Sequence, residues 1–208
     1  MSAALAYTDS SAHARPLHVL ERAQLAEWRT SQSAAVNAWI DAQNFTASPG
    51  SLLALPGDDG LAGAVIGIGD ALDPYAYAHA PFGLPAGDWQ LATDLSADAR
   101  TALQLGWGLG SYRFDRYKQP PRTPARLVLP DADAEALDLL AASLQVRDLV
   151  NTPTEHMGPD ELEAAVRELA ATHGAQVEVV AGDALLAQNF PAIHAVGRAS
   201  HRAPRLIA

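Results

Sequence analysis

Val146-Arg-Asp-Leu-Val-Asn-Thr-Pro153 decides how this chain is divided. The run closes a helical pattern and leads into a Pro-flanked loop. Upstream, residues 132–150 carry two apolar stripes at helical spacing. Leu137, Leu140, Ala141 and Leu144 form one, and Leu139, Ala142, Val146 and Leu149 form the other. A helix apolar on two sides is expected between two bodies rather than on one surface. The reading is an N-terminal α/β domain over residues 1–130, a connector helix over 131–150, and the start of a second α/β domain over 151–208.

Downstream, Pro159 suits a first helical position, and Asp160 and Glu161 complement the positive end of a helix dipole. Leu162, Ala165, Val166, Leu169 and Ala170 share one face, and Gly174 is a natural terminator. Strands are expected over 176–180, 192–196 and 205–208, with a short helix from Asp183. A domain ending inside its own sheet would be incomplete, so the second domain is expected to be truncated.

Upstream, residues 17–21 read as a strand and Gln24–Phe45 as one or two helices, broken by Pro49-Gly50. Ser51–Leu55 and Gly63–Ile68 read as a hairpin around Gly57-Asp-Asp-Gly60. A short helix is expected near Pro74–His79 and a strand at Trp89–Ala92. Ser96–Phe114 reads as a helix capped by Asp94 or Ser96. Its Gly106, Gly108 and Gly110 cost about 1 kcal/mol each relative to Ala, a cost best explained by close packing. Arg126–Leu129 completes an alternation of strands and helices that indicates an α/β fold.

The 208 residues are 49% hydrophobic and 18% charged, as in a globular protein. No apolar run approaches the ~18 residues of a membrane span, and Met1–Ser11 lacks the layout of a secretory signal. Absence of cysteine excludes disulfides and thiolate chemistry and fits a cytoplasmic location. Of the net charge of −10, all resides in 131–183, where twelve acidic residues face two basic ones. Nucleic acid is therefore a poor default partner. Arg113, Arg116, Lys118, Arg122 and Arg126 form a local basic exception that reads as solvated charge or an intersubunit contact.

No self-sufficient catalytic constellation is visible. Gly67-Ile-Gly69 follows a strand, but Leu72 occupies the sixth position of the dinucleotide fingerprint, so a tight turn is the better reading. The histidines at 13, 18, 79, 156, 173, 194 and 201 include no i, i+4 pair. Glu155-His156, with Asp160 nearby, reads as an exposed loop rather than a metal site. His194 is expected as a hydrogen-bonded core residue within a strand, and Ser200 lacks a nucleophile-elbow context.

Taken together, Arg147, Asn151, Pro153, Pro159, Leu162, Val196, Gly197, Ser200, Pro204 and Leu206, in register, resemble the leucyl (cytosol) aminopeptidase family. Gly110-Ser-Tyr-Arg-Phe-Asp-Arg-Tyr-Lys118 matches a run that precedes the linker in that family. The resemblance implies a macro-domain-like N-terminal domain joined by a long helix to a metallopeptidase catalytic domain. It implies removal of N-terminal residues from peptides by two divalent cations, manganese or zinc, in a cytoplasmic hexamer. In that family a lysine and several carboxylates bind the cations, and neither of the two motifs that contain them occurs here. No catalytic, cofactor-binding or metal-ligating residue is therefore carried over, and this stretch alone is expected to be inactive. The alternative is a free-standing macro-like module that binds ADP-ribose or DNA.

Overall fold

A computed structural model describes residues 6–58 and 60–208; Asp59, in the expected hairpin turn, and residues 1–5 lie outside the described residues. Two compact units partition the chain, Met1–Gln145 and Val146–Ala208.

In the first unit, six strands form one sheet: β1 (Tyr7–Thr8), β2 (Arg15–Glu21), β3 (Leu52–Gly57), β4 (Gly60–Ile68), β5 (Asp88–Leu91) and β6 (Arg126–Val128). Their order is β1-β6-β5-β2-β4-β3, and all neighbours run parallel except the β3–β4 hairpin. The period-2 alternation of β2 and β4 sorts their side chains between two cores. Leu17, Val19, Ala64, Ile66 and Ile68 face one side, with Trp89 and Leu127. Leu20 and Val65 face the other, with Leu53 and Leu55.

Helices cover both faces, as parallel sheets require. Helices α1 (Leu25–Thr30) and α2 (Ala34–Ala42) bring Leu25, Trp28, Val36 and Ile40 to the second core. Helices α3 (Ala80–Gly83) and α4 (Ala97–Ser111) bring Leu103 and Trp107 and the adjoining Leu84 to the first. Ser33 and Ser96 cap α2 and α4, their side chains accepting from Val36 and Ala99 amides.

The glycine series of α4 is explained by closeness. A Cβ on Gly106 would overlap the Pro74 carbonyl, one on Gly110 the Ala78 carbonyl, and one on Gly108 the side chains of Leu140 and Tyr7. Pro74–Tyr77, a 3-10 turn, thus packs backbone to backbone against one side of α4.

Helix α5 (Ala134–Asn151) buries Ala136, Leu140 and Leu144. Of the second expected stripe, Leu139 is 54% and Val146 58% exposed. In the first unit, Leu109 and Tyr112 cluster with Leu140 and Leu144, and Tyr7, Leu105 and Phe114 pack against them.

The second unit contains α6 (Pro159–His173), β7 (Val179–Ala181), α7 (Ala184–Ala187), α8 (Pro191–Gly197) and β8 (Arg205–Ile207). Strands β7 and β8 pair antiparallel, Val180 opposite Leu206. Gly174 ends α6 in the left-handed conformation at φ 66°, where a Cβ would be strained. The strand expected over 192–196 is instead α8. Pro191 opens that helix at its first turn, and a five-residue apolar run cannot by periodicity distinguish helix from strand. The strand expected over 176–180 begins only at Val179.

Candidate functional site

In the second unit, polar chemistry gathers where the 152–158 loop meets α6 and β8. Gly158 precedes Pro159, and the Gly158 amide donates to Glu161 Oε2 at 2.8 Å, closing the first turn of α6. Arg202 holds the loop from outside: it donates to the Thr154 and Glu155 carbonyls at 3.2 and 2.7 Å and pairs with Glu161 at 3.2 Å. Arg205 pairs with Asp160 and Glu163, and Arg167 with Glu163 at 2.8 Å. The Glu161 carboxyl therefore lies below its ordinary value, through its own amide and that of Gly158, then Arg202. Glu163 is held low by hydrogen bonds from Arg167 and then Arg205. Beside this network lies an apolar groove of about 710 Å³, walled by Met157, Leu162, Ile193, Val196, Pro204 and Ile207.

The sequence candidates do not converge. His194 is on α8, not in a buried strand, and its Nε2 lies 3.2 Å from Asp183 Oδ1. Ser200 Oγ accepts from the Arg202 amide at 3.1 Å. Gly67 fits against the Ser48–Ser51 turn, its amide donating to the Ser51 carbonyl at 2.8 Å, so Gly67-Ile-Gly69 is a packing turn. The carboxylates closest in sequence to Glu155-His156, those of Asp160, Glu161 and Glu163, already balance guanidinium groups. A pair of divalent cations would need those same oxygens, and the residues here do not fit such a centre. Among the described residues, no group of three or more His, Asp or Glu side chains is placed to hold a metal ion.

In the first unit, a cavity of about 530 Å³ opens at the carboxyl ends of β5 and β6, beside the start of α4. Ligands of open α/β sheets enter at such ends. The polar groups here are committed to structure, however. Gln104, 2% exposed, donates to the Asp133 carbonyl at 2.8 Å and accepts from the Asp133 amide at 2.9 Å. The Asp133 carboxylate accepts from the Ala136 amide and Thr101 hydroxyl, both at 3.1 Å, which lower its pKa in that order. This clamp ties the start of α5 to α4. Sequence reading missed it, although a lone Gln between Leu103 and Trp107 on an apolar helix face was a usable signal. Asp131 and Asp133 also set the cavity against pyrophosphate.

Residues 15–130 match the family model described as the M17 aminopeptidase N-terminal domain, and residues 144–208 that of the cytosol aminopeptidase family catalytic domain. A probable cytosol aminopeptidase of Corynebacterium glutamicum is 29% identical over 195 residues, covering 86% of this chain and 39% of that protein. One from Nocardia farcinica is 30% identical over 85% of this chain and 38% of that protein. The chain thus spans about two fifths of these curated relatives. Among solved structures, cytosol aminopeptidase of Coxiella burnetii superposes with a TM-score of 0.88 at 33% identity, over 98% of this chain and 45% of that one. The bottromycin maturation enzyme BotP in complex with Mn gives 0.72 at 28% identity, over 94% of this chain and 44% of that one.

Proposed function

Because this chain belongs to the M17 cytosol aminopeptidase family, we propose that it forms the N-terminal part of a metal-dependent enzyme that removes residues from the free N-termini of peptides. The observation that carries the reading is the succession of the two family matches, 15–130 then 144–208. Residues 1–130 are read as the N-terminal domain, 131–150 as the connector and 151–208 as the start of the catalytic domain.

Two divalent cations, manganese or zinc, would supply Lewis-acid polarisation of the scissile carbonyl and a water nucleophile at neutral pH in the whole protein. The carboxylates near the groove are neutralised by Arg167, Arg202 and Arg205, so no residue of this chain is assigned to catalysis or metal binding. Their role is to fix the first turn of α6 and the loop before it. The whole protein is read as a cytoplasmic homo-oligomer, a hexamer by family resemblance.

Leu-p-nitroanilide hydrolysis with Mn²⁺ tests the reading. The 208-residue chain should release no p-nitroaniline, and a longer protein that contains it should. Robust turnover by the chain alone would refute its inactivity. A longer protein that is inert to aminoacyl anilides and peptides but stabilised by ADP-ribose would favour the binding-module alternative.

A further inference from the structure

The loop from Tyr112 to Pro124 is an electrostatic anomaly in an acidic protein. Arg113, Arg116 and Lys118 are exposed and Arg122 is half-buried. None of the four forms an ion pair among the described residues, whereas Arg126 pairs with Asp88 at 2.7 Å. Two of them are nonetheless held in place. The Arg113 guanidinium lies 3.7 Å from the Phe82 ring centre and donates to the Tyr112 carbonyl at 2.7 Å. Arg122 approaches the same ring at 5.4 Å and donates to the Phe82 carbonyl. Cations fixed before binding lose less freedom when a carboxylate arrives.

A matching set of carboxylates lies elsewhere on the same unit. Asp131, Glu135 and Asp138, at the start of α5, are exposed and form no ion pair among the described residues. Glu135, Leu139 and Ala142 share a helix face, and Leu139 there is 54% exposed. Among the described residues, no ion pair joins the two sets within one molecule. Tyr112 and Phe114 root the basic loop beside Leu140 and Leu144, C-terminal to Glu135 and Asp138 on the helix.

We propose that the basic loop of one copy docks on the acidic start of α5 of a second copy, with exposed Leu139 adding apolar contact. If the two α5 helices run antiparallel about a two-fold axis, the contact forms twice, as in an isologous interface. The inference rests on the homo-oligomer part of the reading above and not on the peptidase part. Single-stranded nucleic acid is the less suited occupant. Stacking bases needs open aromatic faces, but Arg113 lies over Phe82, and Phe114 packs edge-on against Tyr117 at 5.7 Å.

Charge reversal with rescue tests this. Arg116→Glu/Lys118→Glu reverses the loop, and Glu135→Lys/Asp138→Lys reverses the helix; circular dichroism checks that each folds. Sedimentation equilibrium at about 20 mM salt, where screening is weak, should show association weakened about tenfold or more in either variant. An equimolar mixture of the two variants should associate as the unmodified protein does, because each reversed surface then meets its complement. High salt should weaken all of these complexes. Association unaltered by either reversal would overturn the proposal while leaving the homo-oligomer reading standing. A monomer under all conditions would overturn both. Loss of a fluorescent single-stranded oligonucleotide on loop reversal, with no change in assembly, would give the surface to nucleic acid and overturn it too.

Discussion

The two units are built on different physics. In the first, Trp89, Trp107 and Tyr77 are fully buried between the sheet and its helices. In the second, Ala170 and Leu185 are the only buried hydrophobic side chains among the described residues, and Val196 stands 88% exposed. What orders the second unit is chiefly polar: Arg202 across the 152–158 loop and Arg205 across the carboxylates of α6. Burial of apolar area gives about 25 cal/mol per Å² and is not screened by salt. Exposed ion pairs give about 0–1 kcal/mol each and are screened. The first unit is therefore expected to be the stable body and the second the labile one.

The largest effect that can break this contrast is proteolytic. Brief digestion should cut within residues 152–157, a loop with exposed side chains at all but two positions, and leave a stable N-terminal product. Hydrogen exchange should show amides of β2 and β4 protected far longer than those of β7 and β8. Preferential loss of the N-terminal part would reverse the ranking.

Next in size is Trp107→Ala. It removes a fully buried indole and its 3.1 Å hydrogen bond to the Ala125 carbonyl. Large-to-small changes of this kind cost about 3–5 kcal/mol. Urea unfolding followed through the remaining tryptophans should show that loss, and a change below about 1 kcal/mol would mean the core is not closed as described.

Smaller, but sharper in its cause, is Gly106→Ala. Helix propensity alone favours Ala by about 1 kcal/mol, yet the new methyl would strike the Pro74 carbonyl. Overpacking costs about 1–3 kcal/mol, so the net change should be destabilising. A stabilised variant would show that the 3-10 turn can yield.

The sequence disclosed what depends on local pattern. Helix starts at Ser96 and Pro159 and the stop at Gly174 follow from side-chain and backbone chemistry within a few residues. The α4 glycines disclosed close packing but not the partner, because Pro74 and Ala78 reach them through the fold. One reading failed for a related reason. The α8 segment was judged by apolarity, which says that a surface can be buried but not by what, nor in which conformation. Gln104 and Arg202 act on groups 29 and 48 positions away, distances at which no spacing rule operates.

Acid should separate the two units most gently. Glu161 and Glu163 both titrate below the ordinary carboxyl value of 4.5. A carboxylate lowered by folding adds stability above its unfolded value, and that stability is lost as pH falls through the folded value. The second unit should therefore lose protection below about pH 4.5, with β7 and β8 exchanging first. In the first unit, acid also weakens the Asp88 and Asp133 contacts, since both are lowered too, but among its described residues the buried polar side chains, Gln104 and Ser111, include no carboxylate. Arg167→Ala removes the leading cause of the Glu163 shift while keeping Arg205. The acid midpoint of the second unit should then move upward, and that of the first should not move. An unchanged midpoint would mean that Arg167 only decorates α6, and the ordering of this unit would have to come from elsewhere.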